Sequence, residues 1–224
     1  MVELDELDDW RKTHYTSDLS PELEGEEVII GGWVTKNKSL GGLKFFILKD
    51  REGKCQVTAK DDNPDIPDEI NELIPQLGYM YPVFVKGIVK QDKRAPGGFE
   101  IIPLAIKVLN KTMEQLPLVE GSKAELDTRL NNRVLDLRLR KSQAIFKIQH
   151  VMFNGFREYF TTNHFTEIST PKIIGSATEG GTELFPIIYF NQEAFLSQSA
   201  QLYKEQLSSV FERVFEIAPC YRAE

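Results

Sequence analysis

Two adjacent aromatic residues, Phe45 and Phe46, lie in a strand-like run, LKFFIL, among basic residues. Neighbouring residues of a strand point to opposite faces, so only one of the two rings can enter a core. The other ring is a candidate for stacking on a nucleic-acid base, and packing under a loop or a second domain fits it equally well. The nearby cations favour nucleic acid, although a solvated rim also accounts for them: Lys36, Lys38, Lys44, Lys49 and Arg51.

A second polar group occupies the segment SQSAQLYK, from Ser197 to Lys204. If a helix begins near Ser199, Gln201 and Lys204 lie three residues apart on one face. A lysine there is a compact positive charge suited to one carboxylate, and an ordinary surface lysine is the alternative. Upstream, the acidic loop TEGGTE contains Glu179, which could hold an ammonium group or simply belong to an exposed turn.

The last residues of the sequence combine a cation and a carboxylate, Arg222 and Glu224. The pattern predicts a strand from Phe211 to Arg222, in which alternate residues project to one face. Arginine there could fork onto a phosphate while the carboxylate accepts from an amino group. A salt bridge between strand neighbours fits the same pair.

The elements that position these residues begin with five strand-like runs between residues 27 and 108, which are separated by glycine-rich turns. One short helix, with Asp68 near its start and apolar Ile70, Leu73 and Ile74, is predicted between the third and fourth runs. Five strands with a helix after the third are the plan of an OB-fold. We therefore predict a domain at 1–108 that consists of a five-stranded OB-fold β-barrel with a short N-terminal extension.

The character of the sequence changes after the barrel. Residues 109–140 are polar and irregular, which predicts a hinge or linker. Apolar residues spaced by three and four then predict an amphipathic helix between 141 and 163, and mixed short segments follow it. The second domain, 141–224, is therefore predicted to mix helices and strands, and the whole chain to be an α+β multidomain protein. The apolar residues that predict the helix between 141 and 163 are Ile145, Ile148, Met152, Phe156 and Phe160.

The predicted final strand has no partner after it, so we expect the polypeptide to be cut short inside this domain.

Composition limits the function classes. The 224 residues include 27 Lys and Arg against 34 Asp and Glu, a net charge of -7, which argues against binding nucleic acid by bulk charge but not against a local basic face. The two cysteines, Cys55 and Cys220, indicate neither a disulfide framework nor a zinc site. The acidic N-terminus is not expected to act as a leader peptide, and no apolar run of about 18 residues occurs. We expect a cytoplasmic protein without a membrane span.

Taken in order, the segments GGWV, LGGLKFFILKDREGKCQVTA, AELDTRLNNRVLDLR, FTEISTPKII, TEGGTELFPIIYF, QSAQLYKEQL and FEIAPCYRAE resemble aspartyl-tRNA synthetase in its archaeal-type form. The resemblance extends from about residue 11 to residue 224. It implies an OB-fold that reads the anticodon, a short hinge and the start of a class II catalytic domain built on an antiparallel sheet. The partners implied are tRNA(Asp), L-aspartate and ATP.

The resemblance also assigns roles. Phe45 matches the residue that stacks on the central anticodon base, Gln56 contacts the same region, and Lys38 and Thr35 are placed beside them. Around the substrate aspartate, the resemblance implies Glu179, Ser199, Gln201 and Lys204, of which Lys204 pairs with the side-chain carboxylate. Pro171 belongs to motif 1, which forms a homodimer interface in the family. Arg222 and Glu224 match the start of motif 2, which contacts ATP.

The sequence departs from the family in three places. His164 replaces a usual glycine before motif 1, which affects the local turn, and Ala200 replaces a usual proline, which makes that loop less rigid. The remainder of motif 2, the Mg²⁺ carboxylates and motif 3 are absent from the 224 residues, and no metal ligand is assigned within them. We therefore expect this chain alone not to catalyse aminoacylation; aspartate-dependent ATP–pyrophosphate exchange by it would refute that expectation.

Two other functions remain open at this stage. Asparaginyl-tRNA synthetase shares the fold but binds a neutral amide, and Lys204 favours the carboxylate because a buried ammonium facing an amide has no counter-charge. A non-catalytic tRNA-binding fragment is the second alternative. Thr35 follows GWV where discriminating relatives often carry an aromatic residue, so tRNA(Asn) is a further candidate substrate.

Overall fold

A computed structural model describes residues 2–112, 115–176 and 184–223 of the chain. It separates into two compact units, Met1–Pro117 and Leu118–Glu224. The hinge predicted at 109–140 straddles this division, and the predicted boundaries stay predictions. Within the described residues, no helix is both long enough and apolar enough to span a membrane.

The first unit is a closed barrel of five strands in the order β1-β2-β3-β5-β4. Apolar residues alternate along these strands, so one face of each strand fills the barrel and the other faces outward. The fully buried side chains include Ile30, Phe46, Leu48, Val57 and Ile101. The strand bounds are β1 Glu27–Leu40, β2 Leu43–Lys49, β3 Lys54–Lys60, β4 Pro82–Gln91 and β5 Phe99–Val108.

The long strand β1 closes the barrel because it pairs antiparallel with both β2 and β4. A register shift between Val34 and Lys36 marks a β-bulge, which bends the strand between its two partners. Gly32 lies where β1 passes closest to β2, since a Cβ at this position would be 2.3 Å from the carbonyl oxygen of Lys49. The predicted OB-fold barrel is therefore confirmed.

The predicted short helix is present as α1, Asp68–Leu73, which is followed by a 3-10 turn, Ile74–Gln76. Ile70 and Ile74 are buried against the barrel core. The segment before β1 also lies along the barrel. The Asp5 N–H donates to the Val108 carbonyl oxygen at 2.9 Å, and the Thr13 N–H donates to the Ile29 carbonyl oxygen at 2.9 Å. Both additions extend the buried core beyond the five strands.

The second unit begins with three helices, α2 Leu126–Asn131, α3 Arg133–Asp136 and α4 Arg140–Thr162. Asp136 is fully buried and accepts hydrogen bonds from Arg129, Arg133 and Ser142. The Arg129 hydrogen bond, aided by Ser142 and the two positive charges, outweighs burial and lowers the pKa of Asp136. This ionic cluster fixes the two short helices to the start of α4.

The predicted amphipathic helix is α4, and its apolar residues divide into two groups. Ile145, Ile148, Met152 and Phe156 are exposed over the part of the chain that the structure describes. Phe160 instead stacks on Phe215 with ring centroids 4.8 Å apart and meets Phe165 edge-on at 5.0 Å. The C-terminal end of α4 is therefore the end that packs against the strands of this unit.

The remaining elements are short. β6 Thr166–Glu167 pairs parallel with β10 Val214–Phe215, and β7 Ile173–Ile174, β9 Gln192–Leu196 and β8 Pro186–Tyr189 form an antiparallel sheet in that order. Helix α5 spans Gln201–Phe211. The predicted strand from Phe211 to Arg222 is wrong in extent: Phe211 ends α5, and only Val214 and Phe215 are strand residues. Glu212 terminates the helix with a positive φ of 63°, so the strand can start only after it.

Candidate functional site

The outer face of the barrel brings together several of the predicted nucleic-acid contacts. Phe46 points into the core and is fully buried, whereas Phe45 is half-buried on the opposite face. Cross-strand pairing places Lys38 of β1 opposite Phe45, and Phe45 opposite Thr58 of β3. One of the two adjacent rings thus fills the core, as strand geometry requires, and the other lies beside a lysine.

Gln56 lies on the same face, one pair further along β3, where it is opposite Ile47. Its side-chain amide donates to the Thr58 hydroxyl at 3.0 Å and to a Glu100 carboxylate oxygen at 3.4 Å. Phe45, Gln56, Thr58 and Glu100 line one open cavity of about 580 Å³. The cavity therefore offers an aromatic ring, an amide and a buried carboxylate to a ligand.

Glu100 was not among the residues selected from the sequence. It is 3% exposed at the second position of β5. The available signal was a single charged residue in an otherwise apolar beginning of a strand, FEII. A charged residue is rarely buried without a partner or a function, so this pattern could have identified it.

Thr35 occupies the bulge of β1, and its hydroxyl donates to the Ile47 carbonyl oxygen at 3.3 Å. It does not line the 580 Å³ cavity, and Lys38 does not either. Lys38 is exposed at the pair next to the cavity wall. Of the four residues assigned to the anticodon, the structure brings Phe45 and Gln56 into the cavity and places Lys38 and Thr35 outside it.

The cavity is acidic. It is lined by four carboxylates, Asp61, Asp62, Asp92 and Glu100, and by two cations, Lys60 and Arg94. The side-chain and backbone hydrogen bonds from Arg94 hold the pKa of Asp92 far below its ordinary value. Asp61 is ion-paired with Lys44 and Asp92 with Arg94, so Asp62 and Glu100 supply the remaining negative charge. Such a lining disfavours phosphate groups and suits a ligand that presents N–H donors.

In the second unit, α5 positions the predicted amino-acid contacts. The helix begins at Gln201, and Ser199, Gln201 and Lys204 line one cavity of about 510 Å³. The Gln201 N–H donates to the Ser199 hydroxyl at 3.3 Å, and the Gln201 amide to Glu205 at 3.0 Å. The predicted helix face is thus present, and its two polar residues line the same cavity as the serine before it.

Arg222 lies next to the same segment through the backbone. The Tyr221 N–H donates to the Ser197 carbonyl oxygen at 3.1 Å, so the following residue, Arg222, is held beside the start of the SQSAQ segment. Arg222 is exposed and does not line the 510 Å³ cavity. Glu179 and Glu224 lie outside the described residues.

Pro171 is exposed between two anchored residues. The Thr170 N–H donates to Glu216 at 2.7 Å, and Lys172 forms an ion pair with the same carboxylate at 3.0 Å. Burial raises the pKa of Glu216, but the hydrogen bonds from Thr170 and Lys172 outweigh it, and the net pKa is lowered. The proline is therefore held at the surface by an ionised, nearly buried carboxylate.

Residues 2–112, 115–176 and 184–223 contain no group of three or more His, Cys, Asp or Glu side chains that could hold a metal ion. The described residues therefore do not fit a Mg²⁺ site.

Comparison with known proteins agrees with both units. Residues 28–109 match the family model "OB-fold nucleic acid binding domain", and residues 125–224 match "tRNA synthetases class II (D, K and N)". A solved structure of asparaginyl-tRNA synthetase from Pyrococcus horikoshii, complexed with asparaginyl-adenylate, aligns with a TM-score of 0.86 at 34% identity over 96% of this chain and 49% of that one. The chain is therefore an OB-fold domain followed by the start of a class II synthetase catalytic domain.

The curated relatives are more specific. The chain is 51% identical to the Aspartate–tRNA(Asp/Asn) ligase of Methanocaldococcus jannaschii over 96% of its own length and 49% of the relative. It is 49% identical to the ligase of the same name from Methanopyrus kandleri, over 95% and 50%. These matches confirm the resemblance to archaeal-type aspartyl-tRNA synthetase. The chain spans about half the length of the curated relatives it matches.

Proposed function

We propose that this chain forms part of an enzyme that activates L-aspartate with ATP to aspartyl-adenylate and transfers the aspartyl group to the 3′ end of tRNA(Asp). The observation that supports it most is the succession, in one chain, of a nucleic-acid-binding barrel and a class II unit, with 51% identity over 218 residues to an Aspartate–tRNA(Asp/Asn) ligase. Because these substrates are cytoplasmic, we place the enzyme in the cytoplasm.

In this proposal the barrel binds the anticodon. Phe45 stacks on the central base, and Gln56 contacts the same base from the neighbouring strand. Glu100 lies within hydrogen-bonding distance of Gln56, so its carboxylate can accept from a base N–H in the same cavity. Lys38 and Thr35 act at the edge of this site, where they flank the strand that carries Phe45.

Binding of tRNA(Asp) to the 224-residue chain tests the role of the barrel. Stacking on an aromatic side chain contributes about 1–3 kcal/mol per base, so Phe45→Ala is expected to weaken binding by about 5- to 150-fold. Phe190→Ala is the control, because it removes an aromatic ring that is 83% exposed in the other unit. Binding unaffected by Phe45→Ala, or equal affinity for a transcript with another central anticodon base, would refute anticodon recognition by this face.

The second unit, in this proposal, holds aspartate and ATP. Lys204 pairs the side-chain carboxylate of aspartate, Ser199 and Gln201 contact the substrate beside it, and Glu179 binds its ammonium group. An α-carboxylate oxygen of aspartate attacks the α-phosphorus of ATP, the bond to pyrophosphate breaks, and Arg222 and Glu224 contact the nucleotide. Mg²⁺, if held by residues outside those described, would supply further positive charge to the phosphates. Arg222 supports this arrangement because it lies beside the SQSAQ segment.

Lys204→Met in the full-length protein tests which amino acid is activated. Removing the Lys204 charge that pairs with the substrate carboxylate is expected to lower kcat/KM for aspartate at least ~100-fold in ATP–pyrophosphate exchange, while asparagine, which has no charge to lose, changes little. Lys141→Met, in which the lysine belongs to α4, is the control. If aspartate and asparagine lost activity equally, the pairing would be excluded.

Two further parts of the proposal concern partners. The matched relatives are named as ligases for tRNA(Asp/Asn), and Thr35 is small where an aromatic residue would narrow the site, so we propose that tRNA(Asn) is charged as well. Comparable charging rates on the two tRNAs would support this, and a large preference for tRNA(Asp) would refute it. We also propose a homodimer in which exposed Pro171 lies at the interface; sedimentation of the full-length protein as a monomer would contradict it.

A further inference from the structure

The outer face of the barrel continues beyond Phe45 as a line of lysines. Cross-strand pairs place Lys38 opposite Phe45, Lys36 opposite Ile47, and Lys49 opposite Lys54. All of these residues lie on the same face of the sheet as Phe45, whereas the buried Phe46 and Leu48 lie on the opposite face. We name the four lysines Lys36, Lys38, Lys49 and Lys54 the basic track.

Three of the four charges of the basic track are not balanced by a carboxylate of the described barrel residues. Lys49 and Lys54 are directly paired across β2 and β3, and like charges at such a pair destabilise a sheet. Among the residues that the structure describes, Lys36, Lys38 and Lys54 have no carboxylate partner. The face thus keeps a local positive potential although the chain carries a net charge of -7.

The basic track and the acidic cavity lie at different places on one face. The cavity, with its four carboxylates, borders Gly42 and the β4–β5 connection, whereas the track begins with Lys38 and Lys36 on β1 beside β2 and reaches the β2–β3 turn at Lys49 and Lys54. From Phe45 to Lys49 it covers four residues, about 13 Å. At its far end, the Tyr15 ring has Lys12 Nζ at 5.0 Å and Arg51 Cζ at 5.1 Å. The excess of carboxylates in the cavity and of lysines in the track makes the track the more favourable place for a phosphate.

We propose that the basic track binds the phosphate backbone of the RNA nucleotides that flank the anticodon triplet, while the triplet itself enters the acidic cavity. This inference rests on the proposed function and adds the direction of the RNA strand, which runs from Phe45 along β2 toward the β2–β3 turn. Charge complementarity selects RNA, since a polyanion with separate base edges satisfies both the basic and the acidic part of the face.

The test measures binding of the 224-residue chain to two RNAs at several salt concentrations. One RNA is a hairpin with the whole anticodon stem and loop of tRNA(Asp), and the other is a linear RNA of the loop nucleotides alone. Each phosphate contact contributes about 0.7–0.9 to the slope of log K against log salt. Lys36→Gln/Lys54→Gln is expected to lower the slope for the hairpin by about 1.4–1.8 and to weaken its binding by about 25- to 60-fold at about 0.1 M salt.

The control is Lys86→Gln/Lys90→Gln, which removes the same charge from the outer face of β4 and is expected to change binding less than about threefold. For the linear RNA, the Lys36→Gln/Lys54→Gln effect is expected to fall below about fivefold, and discrimination at the central base to stay unchanged for both RNAs.

Each contrary result has one meaning. Equal effects of the two double variants on the hairpin would overturn the basic track but leave anticodon recognition by Phe45 intact. Absence of anticodon-dependent binding by the unchanged chain would overturn the proposed function itself. Binding of polyglutamate as tightly as the hairpin, with the same dependence on Lys36 and Lys54, would overturn the assignment of RNA as the ligand.

Discussion

Replacing Asp50 by alanine tests what fixes the N-terminal segment and the β2–β3 turn to the barrel. The Asp50 side chain is 3% exposed directly after β2. Its carboxylate accepts from the Thr16 N–H at 2.8 Å and the Thr16 hydroxyl at 2.7 Å. It also accepts from the N–H groups of Glu52 and Gly53, both at 2.9 Å. One carboxylate therefore holds two separate segments in place.

The expected loss follows from which donors can reach water. Thr16 is 5% exposed, so its two donors would lose their acceptor without replacement, and a buried unsatisfied donor costs about 1–3 kcal/mol. The N–H groups of Glu52 and Gly53 lie in a more exposed turn, where water can replace the carboxylate. Because the threonine hydroxyl can rotate toward another acceptor, Asp50→Ala is expected to lower the free energy of unfolding by about 2–4 kcal/mol.

Tryptophan fluorescence measures this unit selectively, because both tryptophans of the chain, Trp10 and Trp33, lie within it. Urea unfolding followed by this signal gives the free energy of unfolding directly. Asp92→Ala is the matched control: its carboxylate bonds only to the side chain and backbone N–H of Arg94, whose side chain is 84% exposed and open to water, so the loss is expected to be clearly smaller than for Asp50→Ala. A loss below about 1 kcal/mol for Asp50→Ala would refute the reasoning.

The pH dependence gives a second check on the same carboxylate. Burial raises the pKa of Asp50, but the hydrogen bonds from Thr16, Gly53 and Glu52 outweigh it, and the net pKa lies below the ordinary value of 3.8. A carboxyl whose pKa is lower in the folded protein stabilises it above the unfolded-state pKa and loses that effect as the pH falls through the folded-state pKa. The difference between the unchanged chain and Asp50→Ala is therefore expected to be constant above about pH 5 and to shrink below about pH 3.8. A difference that stayed constant through this acidic range would contradict the assignment.

Two further predictions concern the barrel core. Phe46→Ala removes a fully buried ring and is expected to lower the free energy of unfolding by about 3–5 kcal/mol in the same fluorescence assay. Phe45→Ala, at a half-buried outward position, is expected to lower it by less than half as much. Equal losses would contradict the placement of the two rings on opposite faces. Burial raises the pKa of the Cys55 thiol to about 12, while Cys220 is exposed. A thiol reagent at about pH 8 is therefore expected to modify one cysteine in the native chain and two after unfolding. Modification of both cysteines in the native chain would refute the burial of Cys55.

The barrel was predictable from the sequence because its signals are local. Alternating apolar residues define each strand, and glycine-rich turns separate the strands. The adjacent pair Phe45 and Phe46 could be divided between core and surface by strand geometry alone. The helix α4 was predictable for the same reason, since its apolar residues recur at intervals of three and four.

Other features depend on contacts between distant residues, and the sequence does not contain them in local form. The end of α5 is set by the positive φ of Glu212, and the residues after it pair with β6 for only two positions, so a long final strand was wrongly predicted. Glu100 enters the candidate site only because β3 and β5 are neighbours in the closed barrel, although 44 residues separate it from Gln56. Sequence periodicity describes single elements and cannot specify which elements become neighbours.

The distribution of charge explains how an acidic chain can present a nucleic-acid interface. Bulk charge would repel RNA, since the net charge is -7, but electrostatic interactions weaken over about 8 Å at physiological salt. A phosphate beside Lys36 and Lys54 is therefore influenced mainly by the outer face of β1, β2 and β3, where cross-strand pairing concentrates lysines. The carboxylates of the neighbouring cavity reinforce this placement of the phosphates, because they disfavour phosphates where Phe45 and Glu100 could contact a base. On such a face, separating the two charges orients the RNA strand, and an evenly basic surface could not do so.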